Sequence, residues 1–155
     1  MVKLNRFYVF AALTCVYAAF IFYLSSVSSL PGLSDLGFLF RLVHFFEDSS
    51  LKFLVYPFYL LYRYPDKFAH VLLYLGFGLL LNRAFNSSKN GVLSKYTVPF
   101  AISIGTLYAV TDEFHQAFVP YRTASSMDLF ADFIGLFFAQ LIIIIYYGVK
   151  KLLKS

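Results

Sequence analysis

Charge is scarce in this 155-residue chain. Asp, Glu, Lys and Arg make up 14% of it, against roughly 25% in an average soluble domain. Tryptophan is absent and there is a single cysteine, while 60% of the residues are hydrophobic and 21% are aromatic, as 20 Phe and 13 Tyr. A soluble fold of this size has too much surface for its volume to hide so much apolar area, and a disordered tail would be far more polar. The lone Cys15 excludes an intrachain disulfide and says nothing of redox compartment. The net charge is +5, from 13 basic residues against 8 acids. In so apolar a chain that charge points to a membrane surface, not to nucleic acid. The length fits one domain, residues 1–155. No internal repeat or low-complexity segment interrupts it.

What is present in abundance is apolar sequence long enough to cross a bilayer, which takes about 20 residues. Four spans are predicted, at about 7–24, 67–84, 98–119 and 129–149. The first follows Lys3 and Arg6 as a signal peptide would, but it is longer than the apolar part of such peptides and lacks a clear small-x-small cleavage site. It reads as an uncleaved anchor. The amino terminus, the loop after span two (Arg83, Lys89, Lys95) and the carboxyl end (Lys150, Lys151, Lys154) hold eight basic residues and no acid. By the positive-inside rule that face is cytoplasmic, with both termini inside. Residues 35–64, rich in Tyr and interrupted by Pro57, are too broken to span; they read as an outer interfacial or re-entrant segment. A pair of short tucked spans is the rival reading.

The few polar residues of the spans gather at one level. Asp66 and His70 are four apart, Asp112 and His115 three apart with Glu113 and Gln116 beside them, and Asp128 and Asp132 four apart. Such spacings share a helix face. Asp66 and Asp128 also suit the positive ends of inward-running helices, and Ser125 with Asp128 has capping-box spacing, so capping and function both stand for these two. Lys67 suits snorkelling to the interface. Asp112 and Glu113 lie near a negative helix end, and Asp132 lies a full turn inside a span; neither placement suits a cap. Ion pairing of these acids with Lys67 and Arg122, and ordinary buried histidines at 70 and 115, are the structural alternatives. Gly76, Gly78, Gly105 and Gly135 read as helix-packing positions. Five acids (Asp66, Asp112, Glu113, Asp128, Asp132) against Arg63, Lys67 and Arg122 leave the presumed site at −2 with neutral histidines. Such a site favours protons, a cationic ligand or a divalent metal. No metal motif of fixed spacing and no serine or cysteine in a nucleophile's context is present.

These residues form a recognisable set. Asp66-Lys67-Phe68-Ala69-His70 resembles the aspartate–lysine–x–x–histidine motif of the VanZ-like membrane proteins. Asp112-Glu113-Phe114-His115-Gln116, followed by Pro120 and Arg122, resembles that family's aspartate–glutamate–x–histidine–glutamine segment. Asp128, Asp132 and Gly135 fall where the family has aspartate, asparagine and glycine, and Phe22-Tyr23-Leu24-Ser25-Ser26 resembles the end of its first span. Two departures stand out: Tyr121 replaces the family's usual glycine, and Asp132 its usual asparagine. The resemblance implies a bacterial cytoplasmic-membrane protein acting at the cell envelope, in a family named for teicoplanin resistance.

The expectation is therefore an all-α, compact four-helix transmembrane bundle with an outward-facing polar site. That site would bind, and in one version modify, a lipid-linked headgroup or amphiphile such as a cell-wall precursor or lipoglycopeptide. His115 is the candidate general base, oriented by Asp112 or Glu113. Lys67 and Arg122 are candidates to hold an anionic group. Asp66, His70, Gln116, Asp128 and Asp132 complete the binding set. A divalent metal would draw on Asp66, His70, Asp112, Asp128 and Asp132. Two other classes compete: a proton, cation or lipid transporter, and a non-catalytic subunit of a membrane complex.

Overall fold

A computed structural model of the chain describes residues 5–27 and 64–154. The predicted interfacial segment 35–64, with His44 and Arg63, lies outside the described residues except for Tyr64. The described residues form helices only: α1 (Arg6–Ser26), α2 (Pro65–Asn86), the short α3 (Gly91–Lys95), α4 (Thr97–Gln116) and α5 (Ser126–Leu152). Local sequence sets most of their ends. The Asn5 side chain accepts the Phe7 N–H at 3.2 Å to start α1. Pro65 opens α2, with Asp66 in its first turn and Arg83 in its last. Asn90 accepts the Val92 and Leu93 N–H groups at 2.9 and 3.3 Å and starts α3.

Among the described residues three helices, α1, α2 and α5, are long and apolar enough to cross a membrane. α4, which carries Asp112 and Glu113, is not among them. It ends at Gln116, three residues before the predicted end at 119. The following turn runs through Pro120 and Tyr121. Tyr121 adopts φ 65°, in the position where the VanZ-like pattern has glycine. The left-handed backbone is thus kept without the residue that adopts it freely, at a strain of about 1–2 kcal/mol.

α2 is the central helix and packs on α1, α4 and α5. The buried core is Ile21, Tyr74, Phe77, Leu81, Ala101, Ala109 and Leu136. The α2–α5 seam is the tightest contact. A Cβ on Gly135 would meet the Val71 carbonyl oxygen and the Leu75 amide of α2, so the two backbones touch there. Two turns further along, Asn82 donates to Gln140 at 2.6 Å, and Gln140 donates to the Gly78 carbonyl at 3.2 Å. α1 is tied to α4 by the Tyr108 hydroxyl, which donates to the Ala18 carbonyl at 2.6 Å. Outward-facing Leu107, Phe130, Phe137 and Ile145 are exposed, as expected of a surface wetted by lipid.

These contacts make α2 and α5 run one way and α1 and α4 the other. One end of the bundle holds Arg6, Arg83, Lys95, Lys150 and Lys151; the acids of α2, α4 and α5 all lie toward the other. At the basic end Arg83 donates to the Tyr147 hydroxyl at 3.0 Å.

Gly135→Ala is expected to push α5 off α2 and destabilise the protein by about 1–3 kcal/mol, the usual cost of overpacking. Gly148→Ala, where an added Cβ meets nothing within 4 Å, is expected to leave stability unchanged. Thermal unfolding of both variants in detergent checks this.

Candidate functional site

The acidic end is built from four helix termini. The starts of α2 and α5 meet the ends of α1 and α4. From α2 come Asp66, Lys67 and His70; from α5, Asp128 and Asp132; from α4, Asp112, Glu113, His115 and Gln116. α1 contributes Ser25 and Ser26, and the α4–α5 turn contributes Arg122. Asp112, Glu113, Gln116, Asp128 and Asp132 are all buried, Asp132 completely.

The pairings differ in part from those the spacing favoured. His70 Nδ1 lies 2.8 Å from Asp132 Oδ1. With Asp132 ionised and the imidazole neutral, Nδ1 carries the ring proton and Nε2 keeps its lone pair. Lys67 Nζ bridges Asp66 Oδ2 at 2.9 Å and Asp128 Oδ1 at 2.5 Å. It pairs with acids and does not merely snorkel. The Ser125–Asp128 capping box does not form, because the Ser125 side chain makes no cap bond. The Ser125 N–H instead donates to Glu113 Oε2 at 2.7 Å. Gln116 donates to Asp112 Oδ2 at 3.2 Å.

His115 turns to partners other than Asp112 and Glu113. Its ring stacks on Phe22 with centroids 4.3 Å apart, and Nε2 lies 3.1 Å from Ser26 Oγ. The Ser26 hydroxyl spends its only proton on the Phe22 carbonyl at 2.8 Å, so His115 Nε2 donates. The histidine with a buried carboxylate behind it is His70, and His70 has the geometry of an oriented base. Arg122 is not free for an anion: Nε and Nη2 donate to the Val27 carbonyl at 3.1 and 3.0 Å, and Nη2 reaches the Leu24 carbonyl at 3.4 Å. It caps the end of α1, whose last carbonyls have no helical partner.

Several buried oxygens have no hydrogen-bond partner among the described residues: Asp112 Oδ1, Glu113 Oε1, Asp132 Oδ2, Ser25 Oγ and the Tyr74 hydroxyl. Ser25 and Tyr74 escape a reading of acid–histidine spacings. The available signal was Tyr74 one turn below His70. A cavity of about 40 Å³ lies among Ser25, Asp66, His70, Tyr74, Asp112 and Arg122. That is room for a few waters, not for a headgroup. Beside it, a groove of about 460 Å³ runs between α2 and α5, lined by Tyr64, Lys67, Phe68, Val71, Phe130 and Ile134. Lys67 therefore joins an apolar groove to the polar cluster.

Among the described residues, His70, Glu113 and Asp128 each offer a ligand atom, and these atoms all lie within 4.8 Å of one another. Of the metal ligands predicted from sequence, His70 and Asp128 stand in this group. Asp132 backs His70, Asp66 is held by Lys67, and Asp112 is held by Gln116.

The residues that carry these pairings lie within a family match that spans 9–147. The chain belongs to the VanZ/LLP1 family. The VanZ/LLP1 match takes in most of α1 and α5 and all of α2 and α4, and with them every candidate site residue. No curated protein and no solved structure matches the chain.

A double-mutant cycle on His70→Ala and Asp132→Ala is expected to give a coupling of about 1–3 kcal/mol, as for a buried hydrogen bond to a charged group. The cycle on His115→Ala and Asp112→Ala is expected to give less than about 0.5 kcal/mol. Unfolding of the single and double variants in detergent measures both.

Proposed function

We propose that this VanZ/LLP1 member is a multi-pass protein of the bacterial cytoplasmic membrane. In this reading its single domain crosses four times, α4 being the third span, both termini are cytoplasmic and the acidic end faces outward. The charge asymmetry of the bundle supports this orientation, since basic residues mark the cytoplasmic side. Packing against α1, α2 and α5 is what lets α4 cross with Asp112 and Glu113 turned into protein. In a Cys15→Ser background, a cysteine at Thr123 is expected to react with an impermeant maleimide in intact cells. A cysteine at Ser88 is expected to react only after the membrane is opened. The reverse pattern would overturn the orientation.

The site, in this proposal, binds an amphiphile at the outer leaflet: a membrane lipid, a lipid-linked cell-wall precursor or a lipoglycopeptide. The observation that carries it is Lys67, which lines the apolar groove and at the same time pairs with Asp66 and Asp128. A groove of about 460 Å³ is of the size that takes a small ligand or part of an acyl chain, and a polar head would then lie over the acidic cluster. Resistance to teicoplanin-class compounds is the cellular consequence that family membership suggests. A relay for transport has less support. Fully buried Leu136 separates the Asp132 level from the Asn82–Gln140 pair, and a relay needs polar groups throughout.

Native mass spectrometry of the detergent-purified protein is expected to show retained lipid. Ile134→Trp, which fills the groove, is expected to reduce retention at least about threefold, and Leu107→Trp, on the far surface, to leave it unchanged. Equal retention in all three proteins would count against the groove.

A further inference from the structure

We propose that His70, Glu113 and Asp128 form a binding site for one divalent cation of the zinc and manganese class, with Asp132 as the residue that orients His70. The three residues come from three helices, α2, α4 and α5, and their ligand atoms lie within 4.8 Å of one another. Ligand atoms around a tetrahedral ion with bonds of about 2.0–2.2 Å stand about 3.4 Å apart. The remaining difference is within the reach of side-chain torsions, because Glu113 has three of them.

A second observation points to a cation independently of this clustering. Glu113 is 7% exposed, and its Oε1 has no partner among the described residues although Oε2 takes the Ser125 N–H. A buried carboxylate oxygen without a donor costs several kcal/mol unless something positive meets it.

The histidine is arranged as a metal-ligating imidazole is. The Nδ1 of His70 is held by a fully buried carboxylate at 2.8 Å, which fixes the ring and raises the basicity of Nε2. Carboxylate–histidine–metal chains are built this way. One imidazole and two carboxylates suit zinc or manganese, whereas magnesium and calcium prefer oxygen ligands alone. Three protein ligands leave a coordination position open.

Charge favours the same occupant. The five acids of this end, four of them buried and Asp66 exposed, face only Lys67 and Arg122 among the described residues, a balance of −3 with neutral histidines. Arg122 is already spent on the end of α1. A divalent ion brings the balance to −1. Lys67 sits on Oδ1 of Asp128, so it shares that carboxylate with the cation and repels it.

This inference does not require the amphiphile reading, and it is tested with the metal alone. The purified protein in detergent is stripped with chelator, titrated with zinc at neutral pH, and assayed for bound metal after desalting. About one equivalent is expected, with a rise in the unfolding temperature. Glu113→Gln, which keeps size and the Ser125 bond, and Asp128→Asn are each expected to weaken binding at least about tenfold. Asp132→Asn is expected to weaken it by about 10–100-fold, as loss of a carboxylate behind a ligating histidine does. Lys67→Gln is expected to tighten it by about tenfold, the size of the repulsion it removes. His115→Ala is expected to leave it unchanged. Failure of the wild-type protein to bind zinc or manganese would overturn the site. So would binding that survives Glu113→Gln and Asp128→Asn together in protein that remains monodisperse. Lipid retention is unaffected by either result, so the two proposals fail separately.

Discussion

The close approach of α5 to α2 at Gly135 is the contact on which the rest of this structure depends. Because no side chain intervenes there, the two backbones touch, and every pairing along the seam follows from that separation. One turn toward the acidic end, Asp132 reaches His70; one turn beyond, Asp128 reaches Lys67. In the other direction Gln140 reaches Asn82 and Tyr147 reaches Arg83. In a low-dielectric interior a polar group without its partner is costly. The seam therefore specifies its own register: sliding α5 by one turn would leave an acid, a histidine and two amides unpaired at once.

The acids of α4 looked misplaced on electrostatic grounds, because they sit at a helix end that already carries partial negative charge. The fold answers this by alternating helix directions. The start of α5, with its free N–H groups, lies against the end of α4, and the Ser125 N–H meets Glu113 there. In the same way, Arg122 neutralises the end of α1 with its guanidinium. What remains is an excess of buried carboxylate oxygen over donors, and that excess sets the chemistry of this end.

The helices were legible in sequence because long apolar runs admit little else. The common level of the polar residues was legible too, since it follows from rise per residue. The structure brings Asp112 even closer to that level: α4 stops at Gln116, so Asp112 lies about 6 Å from the helix end, where a span ending at 119 would put it about 10 Å away. The partners were not legible. His70 and His115 each stand three or four residues from an acid, and spacing within a helix cannot say which face another helix covers. That depends on the rotation of α4, which turns Asp112, Glu113 and Gln116 inward and His115 toward Phe22 and Ser26. Likewise the Ser125–Asp128 spacing is that of a cap, but Lys67 from another helix takes the aspartate.

Leu136 is wholly buried between the His70–Asp132 pair and the Asn82–Gln140 pair. With Phe77 and Leu81 of α2 beside it, it makes that layer an insulator. In a bilayer the transmembrane voltage drops across the poorly polarisable part of a protein. In the proposed orientation that part includes the layer of Leu136, and the carboxylates lie on its outer side. Their ionisation would then answer to the acidity and ions of one compartment and be nearly blind to the membrane potential.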